Sequence, residues 1–463
     1  MGGHFRIVAS VLPHSLVADT GVVLARYCLN WSGNPRPLDC NFSIVRVCVC
    51  SNFTLMSTVF INVGQCGNQV GAQFLDSLCD DKNGAFSGLL KGTDGKLQSI
   101  HVDSESKVIK KILSSDLSRS LKRDAIICGK RGCGSNWGCG YHRRDLLDQT
   151  LEVMRTEVER CDVYSGCLIV HSLCGGTGSG LSSRLVEALR DEYPLQHIMN
   201  IAIAPHWTGE SPLQQYNSLL CLACLQQNSD AIMVFNNDII FHTLEEASGQ
   251  SARGEDRGFS DQELNSVITS CISGCFLPVN GQVTFSNQPW ELFQSCCPMP
   301  DLKFLTVCQQ VSQRPHTSWL EISQSLTRKV AGSCSGRIPR TVSALAVARG
   351  HTGHAFHSNF DKISSRLKSD LGCTHWNPFP LDFWVDLYGN KAKRKSLTVV
   401  LNSDVMAKYI SRVSEEARRK FLVKAYMHWY VQYGCEENDF EQAFHTLRKV
   451  VDNYEYFTTP NLQ

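Results

Sequence analysis

The sequence contains no apolar run that approaches the roughly 20 residues needed to cross a bilayer. It also has no excess of charge of either sign, because 45 Lys and Arg residues nearly balance 44 Asp and Glu residues. We find neither an internal repeat nor a clean secretory signal. These absences argue against a membrane protein, a repeat protein, and a protein that binds nucleic acid through an overall basic surface.

Cysteine, by contrast, is abundant, with 22 residues in a chain of 463. Many of these lie inside apolar runs, as Cys167, Cys221 and Cys271 do, which is typical of reduced thiols that pack as small hydrophobic side chains. A hydrophobic content of 43% and a charged content of 19% suit an ordinary globular protein. The length predicts two or three domains.

Residues 1–55 differ from the rest of the chain, since they contain four cysteines and several prolines and glycines but no long periodic segment. We expect a divergent or unstructured extension here, or translation that starts at Met56, where a clean strand pattern begins. A soft metal ion held by Cys48 and Cys50 is the alternative.

From Ser57 onward, short apolar strands alternate with segments of helical spacing. The first strands are predicted at residues 57–63, 97–103, 166–172, 198–205 and 231–237. Beyond a glycine-rich, charged stretch at 245–262, the pattern predicts a long helix, three strands and two terminal helices, at 263–274, 302–307, 341–350, 396–402, 415–430 and 438–457. The alternation predicts an α/β fold whose parallel sheet binds ligands beyond the carboxyl ends of its strands.

The stretch "GGTGSG" (Gly175–Gly180) lies between a predicted strand and a predicted helix. A glycine-rich turn in this position lets backbone N–H groups approach phosphate oxygens closely, and the helix N-terminus adds a favourable dipole. It is not a P-loop, because no Gly-Lys-Ser/Thr ends it, and it lacks the Gly-x-Gly-x-x-Gly spacing of dinucleotide-binding enzymes. A flexible turn without a ligand is the alternative.

Three more stretches strengthen the phosphate interpretation. A second glycine-rich turn, "GQCGNQVG" (Gly64–Gly71), follows the first strand, and "VDSE" (Val102–Glu105) ends the second strand with two acids. A further loop, "GCGSNWGCGY", covers Gly132–Tyr141. Two glycine-rich loops on neighbouring strands are suited to hold one polyphosphate from two sides.

Acidic and thiol side chains in these stretches suggest metal binding. Asp103 and Glu105 are suited to hold a hydrated Mg²⁺, since hard cations take carboxylate oxygens and keep water ligands. A solvated strand end is the alternative for these two acids. Zinc bound by Cys128, Cys133 and Cys139 is a weak possibility, because the Cys-x-x-Cys pairs of zinc sites are missing.

Five motifs, "GQCGNQ", "VDSE", "GSNWGCGY", "GGTGSG" and "YN" (Tyr216–Asn217), occur in the order and spacing of the tubulin superfamily. The chain resembles that family from Met56 to about Tyr456. The resemblance implies a parallel-sheet GTP-binding domain, a core helix, an α+β intermediate domain and a C-terminal helical hairpin. The predicted divisions are the extension at 1–55, the GTP-binding domain at 56–245, the linker, core helix and intermediate domain at 246–403, and the helical domain at 404–463.

The resemblance also implies which residues bind GTP or GDP. Asp103 and Glu105 stand at positions that serve Mg²⁺ and the phosphates. Asn237 and Asn265 would bind the guanine edge, and their amide groups suit that role because they both donate and accept hydrogen bonds. The other nucleotide-contacting positions carried over from the family's motifs are Gln65, Cys66, Asn136, Ser172, Gly175, Gly176, Thr177, Gly178 and Tyr216.

Several residues depart from the family's pattern. Cys174 replaces a glycine of the phosphate loop, Ser135 replaces an asparagine, and Gln214 replaces an acid that holds the ribose. Phe259 is the candidate for the aromatic ring that stacks on the base. The segment from Gln65 to Asp103 is shorter than usual, and the chain ends without the Glu-rich tail of polymer-forming isotypes. These departures motivate an alternative in which the protein is a nucleotide-free scaffold.

In the tubulin superfamily, an acid from the next subunit orients the water that attacks the γ-phosphate. Counting back from "PMPDLKF" places Glu291 at that position. The resemblance therefore implies a GTPase whose hydrolysis is completed in trans, with positioning and electrostatics supplying the catalysis. An ordinary surface acid is the alternative for Glu291.

The segments "QQYNSLL" and "YGCEENDFEQAF" resemble the delta and zeta branches of the family. That resemblance implies a GTP-binding structural protein of the cytoplasm and cytoskeleton, located at centrioles, basal bodies or cilia. Its implied partners are other tubulins, bound head-to-tail, and centriolar or ciliary proteins, with no nucleic acid and no membrane. An active GTPase subunit that co-polymerises with α- and β-tubulin is the second hypothesis.

Overall fold

The computed structural model describes residues 56–79, 90, 92, 94–209, 211–248, 259–277, 279–280, 285–286, 290–312, 314, 316–334, 336–350, 353–385 and 394–459. Residues 1–55, for which the sequence predicts an extension or a later start, lie outside the described residues. No cysteine within the described ranges forms a disulfide bond.

The strands within these ranges are β1 (Met56–Val63), β2 (Ser99–Asp103), β3 (Ile126–Cys128), β4 (Val163–Ser172), β5 (His197–Ala204), β6 (Ala231–Asn236), β7 (Val279–Asn280), β8 (Phe285–Ser286), β9 (Phe304–Val311), β10 (Thr341–Arg349), β11 (Leu381–Val385) and β12 (Ser396–Ser403).

The α-helices are α1 (Gly64–Cys79), α2 (Ser106–Leu113), α3 (Trp137–Tyr141), α4 (Arg144–Glu159), α5 (Ser182–Glu192), α6 (Gln214–Asn228), α7 (Asn237–Ser248), α8 (Asp261–Phe276), α9 (Glu291–Cys296), α10 (Trp319–Ser333), α11 (Gly353–Asp370), α12 (Asp404–Leu422), α13 (His428–Val431) and α14 (Glu437–Thr458). A wide helical turn at Gly176–Leu181 precedes α5, and a short 3₁₀ turn covers Asp116–Arg119.

One ten-stranded sheet organises the described residues, in the order β11-β10-β12-β9-β6-β5-β4-β1-β2-β3. Neighbouring strands are parallel from β3 to β9. Strand β12 is antiparallel to both β9 and β10, and β11 is parallel to β10. The predicted α/β fold with a mostly parallel sheet is confirmed. Helices cover both faces of this sheet, which explains why its central strands are continuous apolar runs.

The second strand-rich region continues the same sheet. Its connection to the first region is narrow, since β6 pairs with β9 only at Ile232–Phe304 and Met233–Leu305. Helix α8 packs against α1 on one side and against β9 and β12 on the other. It begins earlier than the sequence predicts because Ser260 and Glu263 form a capping box at its N-terminus. The predicted domain boundaries remain predictions.

The C-terminal helices differ from their predicted bounds. The helix predicted at 415–430 begins at Asp404 and ends at Leu422. It ends there because Lys424 and Tyr426 adopt left-handed backbone angles, with φ of 53° and 59°, which an α-helix of L-residues does not tolerate. Helices α12 and α14 both pack on α6. Their predicted role as a separate hairpin domain remains a prediction.

Two apolar layers flank the sheet. One contains α5, α6, α12 and α14, with Leu185, Leu219 and Phe440 fully buried, and the other contains α1 and α8, with Leu75 and Ile268 fully buried. Each such side chain contributes about 1.5–3 kcal/mol when buried. None of the helices in the described ranges has both the length and the apolar character required to cross a membrane.

Candidate functional site

Strands β1, β2 and β4 end side by side. Asn62, next to the end of β1, lies opposite His101 in β2 and Val170 in β4. Because all three strands are parallel, the loops that follow them meet at the same edge of the sheet. This carboxyl edge therefore brings together the three motif loops that start at Gly64, Asp103 and Leu173.

The first loop is shorter than the sequence suggests, because α1 begins directly at Gly64. Gly64 has a φ of +73°, and a Cβ atom there would come within 2.8 Å of the backbone nitrogen of Gly178. Only glycine allows this approach. The first turn of α1, with exposed Gln65 and half-buried Cys66, thus lies against the phosphate loop. Burial raises the pKa of the Cys66 thiol to about 12.

The phosphate loop is held by Ser172. Its Oγ accepts hydrogen bonds from the N–H groups of Cys174 (3.1 Å) and Gly175 (3.4 Å). Gly175 caps the helical turn that continues into α5, so the N–H groups of the following residues have no carbonyl partner inside the helix. A Cβ atom at Gly175 would meet nothing within 4 Å, which shows open space beside the loop. Free donors next to open space fit a phosphate group.

The loop before α3 packs tightly on the phosphate loop. A Cβ atom at Gly140 would come within 2.1 Å of the Gly176 carbonyl oxygen. Asn136 caps α3 by accepting a hydrogen bond from the N–H of Cys139 (3.1 Å), and its Nδ2 donates to the carbonyl of Trp429 (3.0 Å). Both ends of this amide therefore have protein partners, and the predicted nucleotide contact of Asn136 remains a prediction.

The two acids lie next to these loops. Asp103 is only 3% exposed, and burial raises the pKa of its carboxyl group to about 6. Its Oδ1 accepts the N–H of Glu105 at 3.4 Å, and no cationic side chain in the described ranges pairs with it. A hydrogen bond of 2.6 Å between the hydroxyls of Ser104 and Thr177 joins the acidic loop to the phosphate loop. A Cβ atom at Gly132 would come within 2.1 Å of the Glu105 carboxylate, so Glu105 also faces this cluster.

A buried carboxylate without a cation fits a divalent metal. Two acids suit Mg²⁺, which keeps several water ligands and takes others from bound phosphates. Within the described part of the chain, no three or more His, Cys, Asp or Glu side chains form a group that holds a metal alone. That result gives no support to zinc at Cys128, Cys133 and Cys139.

The amides predicted to bind the base lie at the starts of two helices. Asn237 begins α7 directly after β6, and Asn265 lies in the second turn of α8. Neither side chain makes a hydrogen bond to another residue in the part of the chain that the structure describes. Phe259 contacts Phe241 of α7 edge to face at 5.2 Å. Asp261 of α8 lies close enough to Cys66 to raise the pKa of the Cys66 thiol further. The N-terminus of α8 therefore adjoins the first loop.

Tyr216 does not join the other predicted residues. It is fully buried, and its hydroxyl donates to the carbonyl of Ala425 at 3.1 Å. Its ring packs edge to face on Tyr430 and Phe440 in the C-terminal helices.

Glu291 lies at the other end of the molecule. It begins α9, directly after Trp290, whose ring stacks on His197 at 5.3 Å. His197 is the first residue of β5, so α9 lies at the amino edge of the sheet. A strand of this length spans about 25 Å at about 3.3 Å per residue. Glu291 is therefore too far from the phosphate loop to act on a nucleotide of its own subunit.

Asn217 holds the site together and was not among the predicted residues. Its Nδ2 donates to the carbonyls of Ser135 (2.7 Å) and Cys174 (2.6 Å). Its Oδ1 accepts from the N–H of Trp137 (3.0 Å) and the hydroxyl of Tyr430 (2.6 Å). Asn217 is fully buried, so all of its hydrogen-bonding groups must find partners within the protein. The only sequence signal for it is its place in the "YN" motif just before the apolar run of α6.

Gln214 holds the loop after β5. Its Nε2 donates to the carbonyls of His206 (3.3 Å) and Trp207 (3.2 Å). A carboxylate at this position has no N–H group and could not donate these two hydrogen bonds. The glutamine that replaces the family's acid therefore binds the protein backbone of this loop. Asp238 fixes the same loop by accepting from the N–H of Trp207 at 2.8 Å.

Comparisons with known proteins agree with this architecture. Residues 57–245 match the Tubulin/FtsZ family, GTPase domain. The chain is 28% identical to the tubulin delta chain of Mus musculus over 459 residues, which cover 86% of this chain and 99% of the mouse protein. The tubulin delta chains of Macaca fascicularis and Homo sapiens match with the same identity and coverage.

The sheet, its loops and the matched domain thus define a protein with a GTPase domain of the Tubulin/FtsZ type. Over most of its length the chain is similar to tubulin delta chains, although it is divergent from them.

Proposed function

We propose that this protein binds GTP·Mg²⁺ and associates head-to-tail with other tubulins in centrioles, basal bodies or cilia. The observation that carries the proposal is the polarity of the sheet. The phosphate-loop cluster lies at the carboxyl edge, whereas Glu291 lies at the amino edge. If the amino edge of one subunit stacks on the carboxyl edge of the next, Glu291 of the first subunit would lie near the nucleotide of the second. Within one chain, Glu291 and the phosphate loop lie at opposite edges.

The chain's own groups supply the binding chemistry. N–H groups of Gly176, Thr177 and Gly178 would hold the phosphates, while Asp103 and Glu105 would hold Mg²⁺ through oxygen and water ligands. Among the described residues, no hydrogen bond occupies the side-chain amide of Asn237 or Asn265, so both are available to the base. Mg²⁺ held by these residues would neutralise phosphate charge and supply a cation beside the buried Asp103 carboxylate.

An exposed apolar cluster next to the site supports association at this edge. It consists of Leu422, Val423, Tyr426, Trp429, Val431 and Tyr433, all of which are more than a third exposed. The hydrogen bond from Asn136 to the Trp429 carbonyl connects this apolar cluster to the loop before α3. Exposed apolar patches of this kind mark interaction surfaces. We infer that the next tubulin subunit covers it.

The position of Glu291 favours a second function, GTP hydrolysis completed in trans. Its carboxylate, brought to a neighbour's γ-phosphate, would orient the attacking water. The nucleotide of this chain would in turn need an acid from the subunit that docks on its carboxyl edge.

Nucleotide content tests the first proposal. Protein purified without added nucleotide is precipitated with acid, and released GTP and GDP are quantified by chromatography. We expect close to one nucleotide per chain. Gly175→Ala places a methyl group in the open space at the phosphate loop without a clash, so it should fold and bind GTP about 10- to 100-fold more weakly. Gly332→Ala, in α10, has similar free space and is the matched control.

Nucleotide-free wild-type protein, or equal GTP affinity in the two glycine variants, would contradict GTP binding at this loop.

Sedimentation with αβ-tubulin tests association. We expect Trp429→Ala to weaken it by about 30-fold, because exposed aromatic residues at the centre of an interface each contribute about 2 kcal/mol. Tyr456→Ala removes an exposed aromatic side chain of α14 that lies outside the cluster and should change nothing. Equal effects of the two substitutions would exclude the apolar cluster as the interface.

A further inference from the structure

A basic cavity lies at the amino edge of the sheet, at the opposite end of the strands from the phosphate-loop cluster. It is formed by the turn before β2, the segment that joins the 3₁₀ turn to β3, and the residue that follows α4. Its volume is about 470 Å³, within the range of about 300–1,000 Å³ in which proteins hold small ligands. Five cationic side chains line it: Lys96, Arg119, Lys122, Arg123 and Arg160.

Ion pairs fix the inner wall of this cavity. Lys122 is buried, and its Nζ lies 2.6 Å from Oε2 of the fully buried Glu157 and 3.7 Å from Oδ2 of Asp94. The other oxygen of Glu157 pairs with Nη1 of Arg160 at 2.6 Å, and Nη2 of Arg160 lies 3.3 Å from Asp124. These pairs hold two of the five cations in place before any ligand binds, which lowers the entropic cost of binding.

Internal pairing does not neutralise the cavity. The five cations are matched by only three carboxylates, those of Asp94, Asp124 and Glu157, which leaves a net charge of +2. Asp116 also pairs with Arg119, at 3.5 Å, but both side chains are more than 80% exposed, so this pair contributes little.

Two of the cations lack a carboxylate partner. Nζ of Lys96 donates to the Arg119 carbonyl, which carries no charge. For the Arg123 side chain, the described residues provide neither a hydrogen bond nor an ion pair. Structural ion pairing therefore accounts for Lys122 and Arg160 but leaves Lys96 and Arg123 unexplained. A cleft with surplus charge of one sign concentrates ligands of the opposite sign.

The types of side chain indicate the kind of anion. Three of the five cations are guanidinium groups, whose paired N–H donors match two oxygens of one phosphate group. Apart from the buried Leu121, the lining side chains are polar or charged, so the cavity offers no apolar surface to a lipid chain or an aromatic ring.

We propose that this cavity is a binding site for a small, free polyphosphate anion, which Arg123 and Lys96 bind with the charges that no carboxylate of the protein neutralises. The site is separate from the proposed nucleotide site, because Lys96 precedes β2 whereas Asp103 ends it. The proposal therefore does not depend on GTP binding.

Protection of Lys96 from acetylation locates the anion. The full chain is treated with acetic anhydride at increasing concentrations of pyrophosphate, and the acetylated fraction of each lysine is measured by mass spectrometry. We expect pyrophosphate to protect Lys96 but not Lys362, an exposed lysine of α11. Because the measurement is specific to Lys96, pyrophosphate bound at the phosphate loop does not contribute to it.

Arg123→Ala tests the binding residues. It should raise the pyrophosphate concentration that half-protects Lys96 by about 10- to 100-fold, the expected loss for one hydrogen bond between charged groups. The variant should fold like wild type, since the Arg123 side chain has no partner in the described ranges. Arg328→Ala removes an exposed guanidinium of α10 and is the matched control, for which we expect no change. Equal effects of the two substitutions, or no protection of Lys96 at millimolar pyrophosphate, would overturn the proposal.

Two other ligands test the kind of anion. Citrate, a tricarboxylate, should protect Lys96 less well than pyrophosphate, and equal protection would overturn the assignment to phosphate. Vesicles that contain phosphatidylinositol bisphosphate should give no protection, and protection by vesicles alone would replace the free anion with a lipid headgroup. Protein that binds no GTP but shows protected Lys96 would support the cavity and count only against the proposed function.

Discussion

Replacing Asp103 by Asn should make the nucleotide-free protein more stable at neutral pH. The Asp103 carboxyl group is buried without a cation, and its pKa is raised from 3.8 to about 6. Because the pKa is higher in the folded state, the folded protein favours the protonated form. Protonated Asp103 therefore stabilises the fold relative to ionised Asp103. This stability is fully present below about pH 4 and is lost as the pH rises through about 6.

The magnitude follows from the pKa shift. At 1.36 kcal/mol per unit, ionised Asp103 lowers the free energy of unfolding by about 3 kcal/mol at pH 7. Asn has the same shape and can still accept the Glu105 N–H, but it carries no charge. The Asn variant should therefore match wild type near pH 4 and exceed its stability by about 3 kcal/mol at pH 7. The same substitution should weaken Mg²⁺-dependent GTP binding.

Urea unfolding of nucleotide-free protein at several pH values measures this difference. Asp148→Asn removes an exposed carboxyl in α4 and is the matched control, for which we expect no comparable gain. If the free energies of unfolding of Asp103→Asn and wild type differed by the same amount at pH 4 and at pH 7, the charge of Asp103 would not destabilise the folded protein. That result would refute the reasoning. So would a variant that is less stable than wild type at pH 7.

Two further predictions concern the hydrogen-bond network and catalysis. Asn217→Ala removes four hydrogen bonds, two of them to the buried residues Trp137 and Tyr430, and should cost about 3–5 kcal/mol of unfolding free energy in urea titrations. Asn228→Ala should cost less than about 1 kcal/mol, and equal losses would contradict the role given to Asn217. Glu291→Ala should leave GTP affinity unchanged but slow phosphate release by polymers mixed with αβ-tubulin, whereas unchanged turnover would remove the trans-catalytic role.

The loops of the site were predictable because each is marked by residue types, glycines or acids, at the end of a predicted strand. A glycine-rich turn between strand and helix favours phosphate binding, and acids at a strand end favour a cation. Parallel strands then require that such loops meet at one edge. The structure places Gly64, Asp103 and the phosphate loop together at this edge, while their ligands remain predictions.

Other features depend on partners far away in the chain. The sequence motif "YN" does not reveal that Tyr216 turns toward Ala425 or that Asn217 contacts two loops and Tyr430. The break after Leu422 was missed because helical periodicity continues through residues that take left-handed backbone angles. Periodicity reports the spacing of apolar residues and carries no information on long-range hydrogen bonds.

The sequence by itself determined the α/β class, the parallel sheet and the set of loops at its carboxyl edge, because strand burial and glycine placement are local properties. Tertiary structure alone decided that both strand-rich regions share one sheet and that Glu291 lies at the opposite edge. Each of these depends on contacts between distant segments, whose geometry is set only when the whole chain packs.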